Sequence, residues 1–217
     1  MSADLFSGED PIQTGRETLA PGAVILRGRA IATEAQLLED IARISAAAPF
    51  RNMTTPGGYK MSVAMTNCGG AGWVTDAQGY RYARNDPLGG APWPAMPASF
   101  LTLAKAAAAE AGFPGFAPDG CLINRYEPGA KLSLHQDKDE QDLGHPIVSV
   151  SLGLPAVFQF GGLTRAAPVH RYPLLHGDVV VWGGPMRLAY HGILALKPGE
   201  HPRVGQIRLN LTFRHAL

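Results

Sequence analysis

The sequence predicts an α+β protein, mainly β: a double-stranded β-helix (jelly roll) with N-terminal helices and an aromatic substrate-binding lid. Three observations predict it. After residue 119, short apolar stretches recur between Pro128-Gly129, Gly153, Gly161-Gly162, Gly177-Asp178, Gly183-Gly184 and Pro198-Gly199. That spacing and punctuation belong to a sandwich or barrel of short strands. Both helical patterns lie upstream of the run, so helices are expected to flank one side. Between the helices, residues 51–95 mix paired glycines with Tyr59, Trp73, Tyr80, Tyr82 and Trp93. Long irregular segments rich in aromatics serve more often as binding lids than as connectors.

In chain order, the first ~20 residues are polar and read as a loose arm, leaving 21–217 as a single domain. Ala23-Val-Ile-Leu26 predicts a short strand. Thr33-Glu-Ala-Gln36 has capping-box spacing, and Leu37, Leu38, Ile41 and Ile44 follow at helical period, giving an amphipathic helix that ends before Pro49. Residues 51–95 read as short strands and loops rather than core. A second helix has Pro97 near its first turn, an alanine-rich body and Gly112 as its stop. Strands are then expected at Cys121–Tyr126, Ile147–Leu152, Val157–Phe160, Arg171–Leu175, Val179–Trp182, Leu188–Ile193 and Ile207–Phe213.

Composition narrows the class. A chain of 217 residues with 46% hydrophobic content can bury a substantial core. Its 26 glycines and 18 prolines favour turns over long helices. The net charge of +1 gives no field over the whole surface, so nucleic-acid binding would need a local patch. Residues 51–90 offer one: Arg51, Lys60, Arg81 and Arg84 against only Asp76 and Asp86. Cys68 and Cys121 are too few for a disulfide framework and fit a reducing compartment. With no signal-peptide pattern and no run of about 18 apolar residues, a cytoplasmic monomer without a membrane partner is the expectation.

The residues that carry chemistry lie in the β half. His135-Gln-Asp137 is followed 54 residues later by His191. Two histidines and a carboxylate are the set that holds non-haem Fe(II) while leaving coordination positions open. On a strand, residues i and i+2 project to one face, so His135 and Asp137 can address one ion. A second tripeptide, His176-Gly-Asp178, reads instead as a turn leading into an apolar strand. The last strand alternates Ile207, Leu209, Leu211 and Phe213 with Arg208, Asn210, Thr212 and Arg214. A solvated polar face would normally mix charge signs, and this one holds no acid. If it lines a barrel interior, two buried arginines need an anionic ligand, and a dicarboxylate such as 2-oxoglutarate suits their bidentate geometry. Asn124 and Tyr126 alternate the same way on another strand.

The order Asn124-Arg-Tyr126, His135-Gln-Asp137, His191 and Arg208-x-Asn210-x-Thr212-Phe-Arg214 resembles the AlkB family of Fe(II)/2-oxoglutarate-dependent alkylation-repair dioxygenases, close to its bacterial founding member. The resemblance runs from about residue 20 to the C-terminus. It includes Pro56-Gly-Gly-Tyr59, Met61-Ser-Val-Ala-Met65-Thr-Asn67, Pro92-Trp-Pro-Ala-Met96-Pro97 and Lys131-Leu-Ser-Leu-His135-Gln-Asp137-Lys-Asp139-Glu. It implies that His135, Asp137 and His191 hold Fe(II), and that Asn124, Tyr126, Arg208, Asn210 and Arg214 hold 2-oxoglutarate. Trp73 would stack on a flipped base opposite His135. Tyr80, Arg81 and Tyr82 would meet the substrate backbone, and Asp139 and Arg165 the base edge. The implied activity is oxidative dealkylation of N-alkylated bases such as 1-methyladenine and 3-methylcytosine in DNA, with RNA as a second substrate. Dioxygen and 2-oxoglutarate are consumed and formaldehyde is released. Physical chemistry favours such a lid: a base in a duplex must be unstacked at a cost of a few kcal/mol, and stacking on an aromatic returns ~1–3 kcal/mol. An oxygenase acting on a protein or small molecule, and a non-catalytic metal-binding or nucleic-acid-binding barrel, are the alternatives.

Overall fold

In the computed structural model, which describes residues 14–217, the strands form an eight-, a four- and a two-stranded sheet. From edge to edge the large sheet runs β1 (Gly15–Ala20), β2 (Ala23–Arg27), β12 (Val179–Trp182), β9 (Ile147–Gly153), β14 (Arg208–Arg214), β7 (Gly120–Tyr126), β4 (Lys60–Gly69) and β3 (Arg51–Thr54). The second sheet is β11 (His170–Leu174), β10 (Ala156–Phe160), β13 (His191–Ile193) and β8 (Leu132–His135), and every pairing in both is antiparallel. A hairpin of β5 (Gly72–Asp76) and β6 (Gly79–Ala83) stands apart from them. This is the mainly β jelly-roll arrangement the strand spacing predicts.

Side-chain alternation sorts the large sheet into two faces. Val24, Leu26, Cys121, Ile123, Val148, Val150, Val179, Val181, Leu209, Leu211 and Phe213 point outward and pack with Leu37, Ile41 and Ile44 of α1 (Glu34–Ala47) and Phe100, Leu103 and Ala107 of α2 (Ala98–Glu110). Ile25, Met65, Tyr126, Ile147, Val180 and Trp182 point the other way and meet Phe158, Phe160 and Ile193 of the smaller sheet. The helices therefore seal one face, and between the sheets the polar residues of the site sit beside this apolar cluster.

Several elements differ from expectation. Residues 15–20 are not a loose arm: they form β1, paired to β2, while positions 1–13 lie outside the described residues. The capping box does not form. A short 3₁₀ turn, Ile31–Thr33, precedes α1, and the Thr33 hydroxyl donates back to the Ala30 carbonyl at 3.2 Å instead of capping. Segment 51–95 is not all surface, because Val63 to Cys68 of β4 are buried in the main sheet. Of the expected strand 188–193 only His191–Ile193 is extended. The unexpected strand β8 carries His135, and it stops there, so Asp137 sits in an irregular segment and not on the strand the i, i+2 argument required.

Candidate active site

Register brings the polar residues together. Arg208, Asn210 and Thr212 of β14 lie beside Tyr126, Asn124 and Leu122 of β7, and Asn210 and Thr212 lie beside Ser151 and Ser149 of β9. All four polar residues of β14 are buried, which excludes a solvated face. Most of their hydrogen-bonding capacity is spent within the barrel. Asn210 donates to the Ser149 hydroxyl at 2.8 Å and to the Val150 carbonyl at 2.9 Å, and its Oδ1 accepts from Asn124 at 3.1 Å and Thr212 at 3.0 Å. Arg208 is the exception. It lies over the Tyr126 ring, 5.0 Å from its centroid, and donates from Nη2 to the Ser151 hydroxyl at 2.9 Å. Its Nε and Nη1 have no hydrogen-bond partner although it is 1% exposed. Burial lowers its pKa. Two open donors on a buried guanidinium fit a carboxylate ligand.

On the facing sheet, β13 sets His191 directly across from His135 of β8, with the rings 4.4 Å apart. Gly192 makes that approach possible, since a Cβ there would stand 2.6 Å from the Leu132 carbonyl oxygen. Each ring turns Nδ1 to a backbone carbonyl, His135 to Ser133 at 2.9 Å and His191 to Ala189 at 3.0 Å. Carbonyls only accept, so Nδ1 carries the proton and Nε2 points its lone pair into the site. Asp137 completes the group, its oxygens 3.6 Å from His135 Nε2 and 3.7 Å from His191 Nε2. The ligand atoms lie within 4.8 Å of one another, and no other such group of three exists among the described residues. Burial, aided by the nearby His135, brings the His191 pKa down to about 4. Burial opposes ionisation of Asp137, but Arg214 and the two histidines outweigh it and hold the carboxyl well below its usual range. Burial works against protonation of His135, but the neighbouring Asp137 outweighs it and raises that pKa. Two imidazoles turning Nε2 inward and an ionised carboxylate fit Fe(II), which would take the place of any proton on Nε2.

Arg214 is placed differently from Arg208. Its Nη2 and Nε donate to Asp137 Oδ2 at 2.6 and 3.0 Å, and Nε lies 3.2 Å from Glu140. Asp137, Arg214, His135 and His191 line a cavity of about 800 Å³ that is also lined by Thr55, Tyr59, Lys60, Trp73, Tyr80, Asp139 and Arg165. Asn67 secures the hairpin that carries Trp73, donating to its carbonyl at 3.1 Å and accepting its amide at 3.0 Å. The indole stacks on Tyr80 at 5.8 Å and donates to Asp139 at 2.8 Å. Arg165 donates to the Leu134 carbonyl at 3.0 Å. Arg81 and Tyr82 are outside the cavity lining. Arg81 forms a two-pronged pair with Asp76, and the Tyr82 hydroxyl donates to Glu140. Arg51 is likewise taken by Asp86, so the basic patch of the lid reduces to exposed Lys60 and Arg84. Sequence reasoning missed Ser149, Ser151, Glu140 and Arg187. The serines left a signal, since they alternate with valine and leucine in Val148-Ser-Val-Ser-Leu152; Arg187 left none.

A two-sheet barrel with this cluster and a cationic floor defines a metal-dependent oxygenase site, and residues 22–214 match the 2OG-Fe(II) oxygenase superfamily. The chain is 62% identical to the alpha-ketoglutarate-dependent dioxygenase AlkB of Escherichia coli over 98% of its own length and 97% of that protein. It superposes on the solved structure of OsALKBH1 with a TM-score of 0.83, at 30% identity, covering 93% of this chain and 100% of the other. It is also 38% identical to the DNA N(6)-methyladenine demethylase ALKBH1D of Arabidopsis thaliana over 49% of this chain and 27% of that protein. The chain belongs to the AlkB family of Fe(II)/2-oxoglutarate-dependent dioxygenases. Among the described residues no helix is long and apolar enough to cross a membrane.

Proposed function

We propose that the protein oxidatively removes alkyl groups from ring nitrogens of bases such as 1-methyladenine and 3-methylcytosine in DNA, with RNA as a second substrate, and so repairs alkylation damage. Residues 21–217 act as one catalytic domain in this reading. One observation carries it: the His135, Asp137 and His191 cluster, the β14 floor and the Trp73 indole all face a single cavity. The DNA demethylase among the relatives supports the substrate class.

When bound, Fe(II) with 2-oxoglutarate and dioxygen supplies the oxidation, converting 2-oxoglutarate to succinate and carbon dioxide while the alkyl carbon is hydroxylated and lost as an aldehyde. The protein's own residues orient and desolvate. His135 and His191 would offer their Nε2 atoms and Asp137 a carboxylate, leaving coordination positions open. Arg208 receives a co-substrate carboxylate on its two open donors, with Asn124, Tyr126, Asn210 and Arg214 around it. Trp182 and Phe158 give the cavity apolar wall that excludes water. Trp73 offers a ring face to the unstacked base, and Tyr80 and Arg165 flank it. Asp139, already accepting from the indole N–H, sets a negative charge at the edge of that ring.

Alkylation at N1 of adenine or N3 of cytosine leaves the base cationic, so Asp139 favours those lesions over neutral N3-methylthymine. Opposite charges about 4 Å apart attract by ~4 kcal/mol at an effective dielectric of ~20, discounted here because Asp139 is exposed. Asp139→Ala should lower the ratio of catalytic efficiencies for cationic over neutral lesions by about tenfold in matched single strands. An unchanged ratio removes Asp139 from base recognition.

A further inference from the structure

Two buried charges beside the site have no part in the reading above. Arg187 is 4% exposed and lies four residues before His191. Its Nε donates to the His145 carbonyl at 2.9 Å, its Nη1 to the Asp137 carbonyl at 2.7 Å, and its Nη2 lies 3.1 Å from Glu140 Oε2. Glu140 is 8% exposed, and its other oxygen accepts the Tyr82 hydroxyl at 2.8 Å and stands 3.2 Å from Arg214 Nε. One carboxylate thus joins the lid hairpin, the last strand and Arg187, while Arg187 grips the main chain of a metal-cluster residue.

We infer that Glu140 and Arg187 are a positioning pair that aims Arg214 at the co-substrate and fixes the irregular segment carrying Asp137. The inference rests on the co-substrate reading of Arg214. Residues 136–139 follow the end of β8 and have no regular structure, so side-chain ties must set their path. Arg187 supplies the tie at Asp137. Arg214 holds Asp137 through Nη2 and Nε, so when Asp137 turns to a metal the guanidinium needs a second anion to keep its plane. Glu140 is that anion. Asp137, Glu140, Arg187 and Arg214 also cancel in charge, which leaves Arg208 as the cation with open donors for a dianion. Buried ion pairs contribute little net stability compared with apolar replacements, so orientation is the better account of this one. The Tyr82 hydroxyl, spent on Glu140, ties β6 to the same pair and acts as a strap instead of meeting the substrate backbone.

The test is calorimetric titration of 2-oxoglutarate into the full chain loaded with Mn(II), which binds without turnover. Glu140→Gln should weaken 2-oxoglutarate binding by about tenfold, the worth of one charge-assisted hydrogen bond, with Mn(II) affinity and circular dichroism preserved. Arg187→Met should give a similar loss and also weaken Mn(II), because Arg187 holds the Asp137 main chain as well as Glu140, and the double variant should be no worse than Arg187→Met alone. In turnover, KM for 2-oxoglutarate should rise while KM for a methylated oligonucleotide stays put, a split that general destabilisation does not produce. A folded Glu140→Gln protein with wild-type 2-oxoglutarate affinity overturns the inference. If that variant does not fold, Arg187→Lys, which keeps the charge and loses the forked geometry, carries the same expectation and the same refutation. No nucleic acid enters the titration, so its result is independent of whether bases are the substrate.

Discussion

The chain carries the tripeptide His-x-Asp twice, and its two copies have opposite fates. In His176-Gly-Asp178 every side-chain polar atom is taken. His176 accepts the Gly153 amide at Nδ1 and turns Nε2 to Glu34. Asp178 accepts the Gly28 amide, the Leu175 amide and Arg27. In His135-Gln-Asp137 the imidazole spends one nitrogen on a carbonyl and keeps the other, and a second histidine faces it across the sheet. Residue type is the same in both places. Asp137 gives Oδ2 to Arg214 but keeps Oδ1 toward the histidine. Metal-binding capacity resides in the valence that the fold leaves unspent, and the same holds for the arginines: Arg27 is paired with Asp178 and Glu17, whereas Arg208 keeps two buried donors open.

Breaking the first copy has the largest expected effect. Asp137→Ala should abolish succinate formation and metal retention while the fold survives, because Arg214 keeps Glu140 as a partner; turnover under limiting iron checks it. Next comes Arg208→Ala, which leaves a co-substrate carboxylate without its cation. Losing one partner of a buried pair costs roughly 3–5 kcal/mol, so 2-oxoglutarate affinity should fall about a hundredfold or more, read as a rise in its Michaelis constant. The smallest effect belongs to the second copy. Asp178→Asn should keep metal binding intact and lower stability by roughly 1–3 kcal/mol, since Glu17 still faces Arg27; chemical denaturation with a parallel metal titration measures both.

How much of this was legible in the sequence follows the same logic. The faces of β14 could be read because a period-2 pattern of charge and hydrocarbon has only one economical burial, and Arg208 to Arg214 are buried accordingly. The residue types of the metal cluster could be read too, though the stated geometry could not: the Leu-Ser-Leu-His alternation of β8 is only four residues long, and it ends before Asp137. β1, Gly-Arg-Glu-Thr-Leu-Ala, is an edge strand held by main-chain pairing to β2, which composition does not record. Thr33 looked like a cap, but it closes a 3₁₀ turn that redirects its hydroxyl to the Ala30 carbonyl. The charge excess of residues 51–90 was real in number and smaller in effect, because Arg51 and Arg81 are consumed by Asp86 and Asp76. Partners decided each of these cases, some as near as Ala30 to Thr33 and Asp76 to Arg81 and others as far as Asp86 to Arg51, and residue type alone does not name them.

The central claim is that one cavity couples 2-oxoglutarate consumption to base repair. The most direct test is a stoichiometric turnover of a single-stranded oligonucleotide bearing one 1-methyladenine, with Fe(II), 2-oxoglutarate and dioxygen. The account predicts one succinate and one formaldehyde for each adenine restored, and no product of any kind with Asp137→Ala. Succinate formed without restoration of the base, or restoration that persists in Asp137→Ala, would contradict it.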